Sequence, residues 1–325
     1  MTAVERPIHH RSKKEVAPST GKALRVKSVD PPARPLSELF LFIVTLAAAA
    51  CLDTDVGRDV WSALSNSAGG PKAATVFLVI VVPNIVYYVN SAFFAVLDLC
   101  LYNHPAVKAL KVQPSSPRPT VAEYAQAALV TGFNTFIIEP LLIWSIYEFV
   151  WPAIGHCAWT EDACHTMPSP MLAVGSLLFW VLIEETGFYV THRLVHQPPL
   201  YKWIHKMHHT FKSPAALTSK YAHPVEHLLS NLGPVVLGPL LFNCHPLVQC
   251  LWTSYGLVQT TVVHSGYNLS PWLPQPNAHD WHHEVTYECY GTELGLLDWL
   301  FGTNPRFLAR MARKLPVHII GVDDG

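Results

Sequence analysis

The chain contains eighteen histidines, and twelve of them fall between positions 192 and 283. Their spacing points to chemistry. The segment "HRLVH" sets His192 and His196 at i and i+4, one turn apart on a single helix face. "HKMHH" places His205, His208 and His209 together, and "HDWHH" repeats the pattern with His279, His282 and His283. His223 and His227 in "HPVEH" form another i, i+4 pair, and His264 stands in "HSGYN". Neutral imidazole is the commonest metal ligand and suits iron, zinc, copper and nickel. One metal takes about three to six protein ligands, so eight or nine converging histidines imply two metals. Without metal, such a buried cluster is costly, because each ring needs a partner for both nitrogens.

A single i, i+4 histidine pair is more often an accident of surface or core. Two HxxHH segments and one HxxxH, just past an apolar stretch, are read as ligands. His227, His245 and His318 match no repeated pattern, and His104 and His156 read as loop residues. Glu185 lies seven residues before His192 and shares its helix face. Metal-bound histidine commonly donates its other N–H to a carboxylate, and Glu185 could be that acceptor. The alternative is an interfacial acid paired with Arg193. Asp298 in "LLDWLFGT" is a similar candidate.

Long apolar segments must position these residues. Four precede the histidine-rich part, roughly Leu36 to Leu52, Ala74 to Leu101, Ala125 to Trp151 and Met171 to Val190. A spanning helix needs about 20 mostly apolar residues, so all four read as membrane helices, the first being short and the second bent at Pro83. A fifth apolar region, Leu228 to Val263, is broken by Gly233-Pro234, Gly238-Pro239 and His245-Pro246. It reads as a re-entrant hairpin or two short spans. The expected fold is therefore all-α and integral to the membrane, with about four transmembrane helices, this hairpin and a histidine-rich helical cap.

Flanking charge sets the orientation. The tail before Leu36 carries eight Lys or Arg against three acids, the "DTDVGRD" loop is acidic, and "HPAVKALKVQPSSPRPT" is basic. The loop around "TEDA" has no Lys or Arg, whereas Arg193, Lys202, Lys206, Lys212 and Lys220 follow the fourth span. This alternation places the histidine segments on the cytosolic side. The domain reading is a disordered basic cytosolic tail over 1–35 with no cleaved signal peptide, membrane helices over 36–191, a histidine region over 192–303 and a C-terminal tail over 304–325.

Composition agrees. Hydrophobic residues make up 50% and charged residues 14%, with mean hydropathy +0.23, against about 25% charged residues in soluble domains. Net charge of −1 gives no global pull toward nucleic acid. Seven scattered cysteines imply no disulfide framework. In "HCAWTEDACH", Cys157 and Cys164 fit a small loop disulfide, an incidental pair or a zinc site.

These segments resemble the fatty acid hydroxylase superfamily (the sterol desaturase family), whose boxes read HxxxH, HxxHH and HxxHH. The likeness is strongest to its C-4 methylsterol oxidases. It rests on "EETGFYVTHRLVHQPPLYKWIHKMHHTFKSP", "YAHPVEH", "HSGYN", "HDWHHEVTYECYG", "DWLFGT" and "KVQP", and covers roughly Val107 to Thr303. The resemblance implies an endoplasmic reticulum enzyme with a di-iron centre that activates O2, although zinc could occupy a purified sample. Electrons would come from NAD(P)H through cytochrome b5 or a reductase. Carried over by motif, the ligands are His192, His196, His205, His208, His209, His279, His282 and His283, with His264 a ninth and His223 a tenth. Two departures stand out: Cys289 replaces the usual asparagine before Tyr-Gly, and Lys220 stands where the sterol branch tends to be acidic. Other lipid hydroxylases or desaturases of the superfamily, and a non-catalytic membrane protein holding structural zinc, are the rival readings.

Overall fold

The computed structural model describes residues 39–155, 166–292 and 294–314, which form helices and turns without strands. His156, Cys157, Cys164 and His318 lie outside the described residues, as does the expected tail over 1–35.

Among the described residues, three helices are long and apolar enough to cross a membrane: α3 (Pro71–Leu99), α4 (Val121–Ile154) and α5 (Pro170–Val195). At 1.5 Å per residue each exceeds the roughly 30 Å of hydrocarbon core. Their outward faces carry exposed Ile85, Val89, Leu129, Phe136 and Leu182, an arrangement that suits lipid rather than water. The chain is an all-α membrane protein.

The expected first span is different. Helix α1 (Phe40–Ala50) has 11 residues, about 16 Å, too short to cross alone. The chain then turns by 86° into α2 (Asp55–Ala68). The sequence "DTD" causes the break: the Thr54 hydroxyl accepts from the Gly57 N–H, and Arg58 bonds both Asp53 and Asp55. These polar contacts start a new helix instead of prolonging the old one.

Prolines shape the other helices without stopping them. π-Helical turns at Phe77–Val81, Asn134–Ile138, Ile146–Val150 and His227–Leu232 each end two residues before a proline. Proline lacks an N–H and clashes with the carbonyl four residues back. The wider turn lets the residue before each proline donate five residues back, as Val82 does to Phe77 and Gly233 to Leu228. Pro83 is thus carried inside α3.

The fifth apolar region is a helical hairpin, α7 (Gly233–Leu241) and α8 (Pro246–Ser265), after the short α6 (Pro198–Trp203). α7 packs on α5 and α8 on α3. Gly238 makes the first contact possible, since a Cβ there would lie 2.9 Å from the Trp180 ring and 3.0 Å from its Cα. Beyond the hairpin come α9 (Asn277–Val285), α10 (Leu296–Leu300) and α11 (Pro305–Lys314). The expected C-terminal tail over 304–325 therefore begins with a helix. Its Arg306 and Phe307 N–H groups donate to the Glu288 carboxylate, and Arg310 pairs with Glu284 of α9.

"KVQP" stitches the cap to the spans. Lys111 bridges to Tyr267 as an isolated antiparallel pair, with Val112 donating to Gly266 and Asn268 to Leu110. The buried Lys111 ammonium meets Asp98 at 3.0 Å, and that carboxylate also accepts from Tyr124 and Tyr267. Gln113 donates to Asp280 of α9 at 2.7 Å. One tetrapeptide joins α3, α8 and α9.

Candidate metal centre

Nine histidines converge from four parts of the chain into two groups. The first holds His192, His196, His205, His209 and His282; the second holds His208, His264, His279 and His283. Within each group the offered nitrogens lie within 4.8 Å of one another. Their positions follow from local geometry. His192 and His196 close α5, His205–Thr210 is a tight 3-10 turn, His264 ends α8, and "HDWHH" lies within α9. The two HxxHH segments are used in opposite senses. The i, i+4 pair of the first serves group one and its middle His208 serves group two. In the second segment the pair serves group two and the middle His282 serves group one.

The outward nitrogens are anchored. Nδ1 of His192, His208, His264, His282 and His283 donates to the carbonyls of Tyr290, Tyr221, Thr260, Glu288 and Phe211 at 2.7–3.3 Å. A carbonyl only accepts, so each of these rings carries its hydrogen on Nδ1 and presents a bare lone pair at Nε2. The Glu226 carboxylate lies 2.7 Å from His205 Nδ1 and plays the same part. Inward, Nε2 atoms crowd to 2.9–3.3 Å in the first group and 2.8–3.4 Å in the second. His208 and His264, both anchored through Nδ1, face each other lone pair to lone pair at 3.4 Å. The buried His192 Nε2 has no hydrogen-bond partner.

Burial pushes the imidazolium form of His208 down to about 4. Burial and then the charge of neighbouring rings take His196 down to about 2, and hold His205, His209, His264, His279, His282 and His283 well below the ordinary range. Neutral, pre-oriented lone pairs are the donors a cation requires. Nitrogens at about 2.0–2.1 Å from one ion stand about 3.0–3.4 Å apart. The observed edges match, so the donor set fits a metal in each group.

Other expected residues sit elsewhere. His223 belongs to neither group; its Nδ1 accepts from the Val225 N–H and caps the turn at Pro224. Glu185 is buried, but its carboxylate accepts from the Thr292 hydroxyl and the Leu296 N–H, while His192 donates to Tyr290. Arg193 donates to the Tyr189 hydroxyl. Asp298 accepts from the Tyr290 and Gly291 N–H groups, so it steadies the peptide that anchors His192 without touching a ring. A carboxylate that does meet a histidine of the first group is Glu226, beside His205, which sequence reasoning passed over. Its signal was an acid inside the apolar-flanked "HPVEH".

The family profile of the fatty acid hydroxylases matches residues 177–303. Fatty acid hydroxylase ahd1 of Mycosarcoma maydis is 39% identical over 199 residues, 61% of this chain and 50% of that protein. Fatty acid hydroxylase domain-containing protein 2 of Homo sapiens is 40% identical over 190 residues, 58% and 54% of the two chains. Methylsterol monooxygenase 1 of Danio rerio is 31% identical over 210 residues, covering 62% of this chain and 70% of that protein. The chain belongs to the fatty acid hydroxylase superfamily. It spans about half the length of the first two relatives. No solved structure matches it significantly.

A cavity of about 220 Å³ reaches this superfamily's histidine region from among the spans. Its apolar wall includes Val79, Ile80, Ile143, Val181, Phe188 and Trp252, and His264 and His279 line it beside them. Cys289 marks the loop after the last box. It adopts a left-handed backbone, φ 60°, a conformation that asparagine tolerates better than cysteine.

Proposed function

We propose that this chain is an O2-dependent membrane monooxygenase whose nine histidines hold two iron ions, and that it oxidises the C-4 methyl group of a 4-methylsterol. The observation that carries this reading is the pair of histidine groups at the edge of an apolar cavity walled by membrane spans. Iron, when bound, supplies the redox chemistry that lets O2 attack an unactivated C–H bond, which side-chain acids and bases do not do. The protein's residues do the rest. The anchored rings hold neutral lone pairs inward, the spans admit a lipid from the bilayer, and the apolar wall keeps water from the reacting carbon. Methyl to alcohol consumes one O2, two electrons and two protons and releases one water. The electrons come from NAD(P)H through a cytochrome b5-type donor or a reductase. Loop charge supports an orientation with the histidines facing the cytosol, where a soluble or anchored donor reaches them, and the family resemblance supports the endoplasmic reticulum membrane.

Expression in sterol-auxotrophic cells lacking the C-4 oxidase, with sterol analysis, tests the substrate. Depletion of 4-methylsterols is expected; their persistence overturns it. The names of the relatives at 39% and 40% identity favour a second reading, a fatty acyl hydroxylase. The same lipid extracts would then show new hydroxylated acyl chains. Five nitrogens in one group exceed the four of a closed structural zinc site. Protein from iron-replete cells should contain two iron ions per chain; zinc alone, without O2 consumption, would establish the non-catalytic reading.

A further inference from the structure

A charged pair faces the cavity, whose wall is largely apolar but also includes Glu184, His264 and His279. Lys220 and Glu139, both buried, meet at 2.8 Å. Lys220 also donates to Asn84 Oδ1 at 2.7 Å, and Asn84 donates to the other Glu139 oxygen at 3.0 Å. His227 lies 3.1 Å from Glu139 through Nε2, with Asn231 donating to its Nδ1. All five residues line the cavity. Glu139 belongs to the spanning helix α4, where ionisable groups are expensive and mark function. A well-packed apolar pair would often hold the same helices together at no loss of stability.

Three further facts define what such a group could bind. The first is charge: ammonium and carboxylate cancel, so the site suits a neutral ligand group and disfavours a carboxylate or phosphate. The second is hydrogen-bonding capacity. Lys220 uses two of its N–H groups on Asn84 and Glu139, and Glu139 receives from Lys220, His227 and Asn84. That leaves one acceptor position on the carboxylate and one donor on the ammonium, which otherwise faces the Tyr87 ring at 4.5 Å. A hydroxyl accepts from the ammonium and donates to the carboxylate. The third is position. Lys220 precedes Tyr221, whose carbonyl anchors His208, and His227 follows Glu226, which anchors His205. The polar group is one residue along the chain from an anchor of each metal group.

We propose that Lys220 and Glu139, oriented by Asn84 and His227, recognise a neutral hydroxyl of the lipid, close to the carbon that is oxidised. This rests on the histidine groups being the reaction centre and deepens the substrate reading above. It selects lipids whose hydroxyl neighbours the oxidised carbon over acyl chains with a distant anionic head.

The test uses the iron-loaded full chain in lipid nanodiscs and equilibrium binding of tritiated probes. Two pairs serve: 4,4-dimethylcholestanol against 4,4-dimethylcholestane, and octadecan-1-ol against octadecane, with octadecanoate as the charged control. The native chain should bind at least one alcohol tenfold or more tighter than its hydrocarbon, and tighter than octadecanoate. In Lys220→Met/Glu139→Leu, which removes both charges together and avoids stranding either, that ratio should fall to near one with iron content retained. Where this variant does not fold, Asn84→Leu is measured the same way and should reduce the ratio at least threefold. No alcohol preference in the native chain for either skeleton, or a preference unchanged in the variants, overturns the proposal. If only octadecan-1-ol shows a preference that depends on Lys220, the sterol assignment falls and the hydroxyl site stands.

Discussion

Glu226 and Thr286 show what single residues do at this centre. The Glu226 carboxylate orients His205 from a fully buried position, and removing such an outer partner costs about 10–100-fold in metal affinity. Glu226→Gln should therefore lose iron to a chelator about tenfold more readily while its helical circular dichroism is unchanged; native retention would show that His205 orients itself. Thr286 ends α9 with φ 68°, where a β-branched side chain is strained and glycine is at ease. Thr286→Gly should stabilise the chain by about 1 kcal/mol, read as a raised unfolding midpoint in detergent. Cys289 nearby has the same left-handed backbone, φ 60°, which asparagine or glycine would adopt with less strain.

At the scale of elements, the centre depends on contacts that bring distant helices close. Gly238 lets α7 lie against Trp180 of α5, and overpacking of this kind costs about 1–3 kcal/mol. Gly238→Ala should lower thermal stability by that amount, and an unchanged midpoint would mean the two helices separate freely. The buried Lys111–Asp98 pair fastens "KVQP" to α3 and α8. Stranding one member of such a pair costs about 3–5 kcal/mol, whereas removing both is far milder. Lys111→Met should thus be much less stable than Lys111→Met/Asp98→Asn, measured by denaturation of both variants side by side. The π turns show the same dependence on neighbours: proline sets where the helix must widen, and packing decides that it continues.

For the whole molecule, orientation is the consequence that charge alone argues. The exposed cap carries Lys202, Lys206, Arg306 and Arg310, while Lys220 has been withdrawn into the cavity pair. In intact vesicles with the cytosolic face outward, a cysteine at Lys202 in a background lacking native cysteines should react with a membrane-impermeant maleimide, and one at Asp59 should not. The reverse pattern would invert the topology.

Helix class, the three long spans, the broken hairpin and the histidine boxes were all legible in the chain. Lipid selects runs of apolar residues, and metals select imidazoles at helical spacing, so both leave local signals. The first span reads as one run in the sequence and is a bent pair in the structure, because hydropathy does not register an 86° turn made by Thr54, Asp53 and Arg58. The same limit applies to the site. Spacing put His205, His208 and His209 together, but only packing divided them between two groups. Spacing also paired Glu185 with His192 on one face, although the carbonyl of Tyr290, brought in by a loop 98 residues away, took that place. The sequence by itself determined which side chains were present, the histidines that can hold metal among them. Tertiary structure alone decided which nitrogens face each other, which carbonyls fix them, and that Lys220 and Glu139, 81 residues apart, share one cavity wall. Local pattern carries no record of long-range contacts, whose geometry is set when the helices pack.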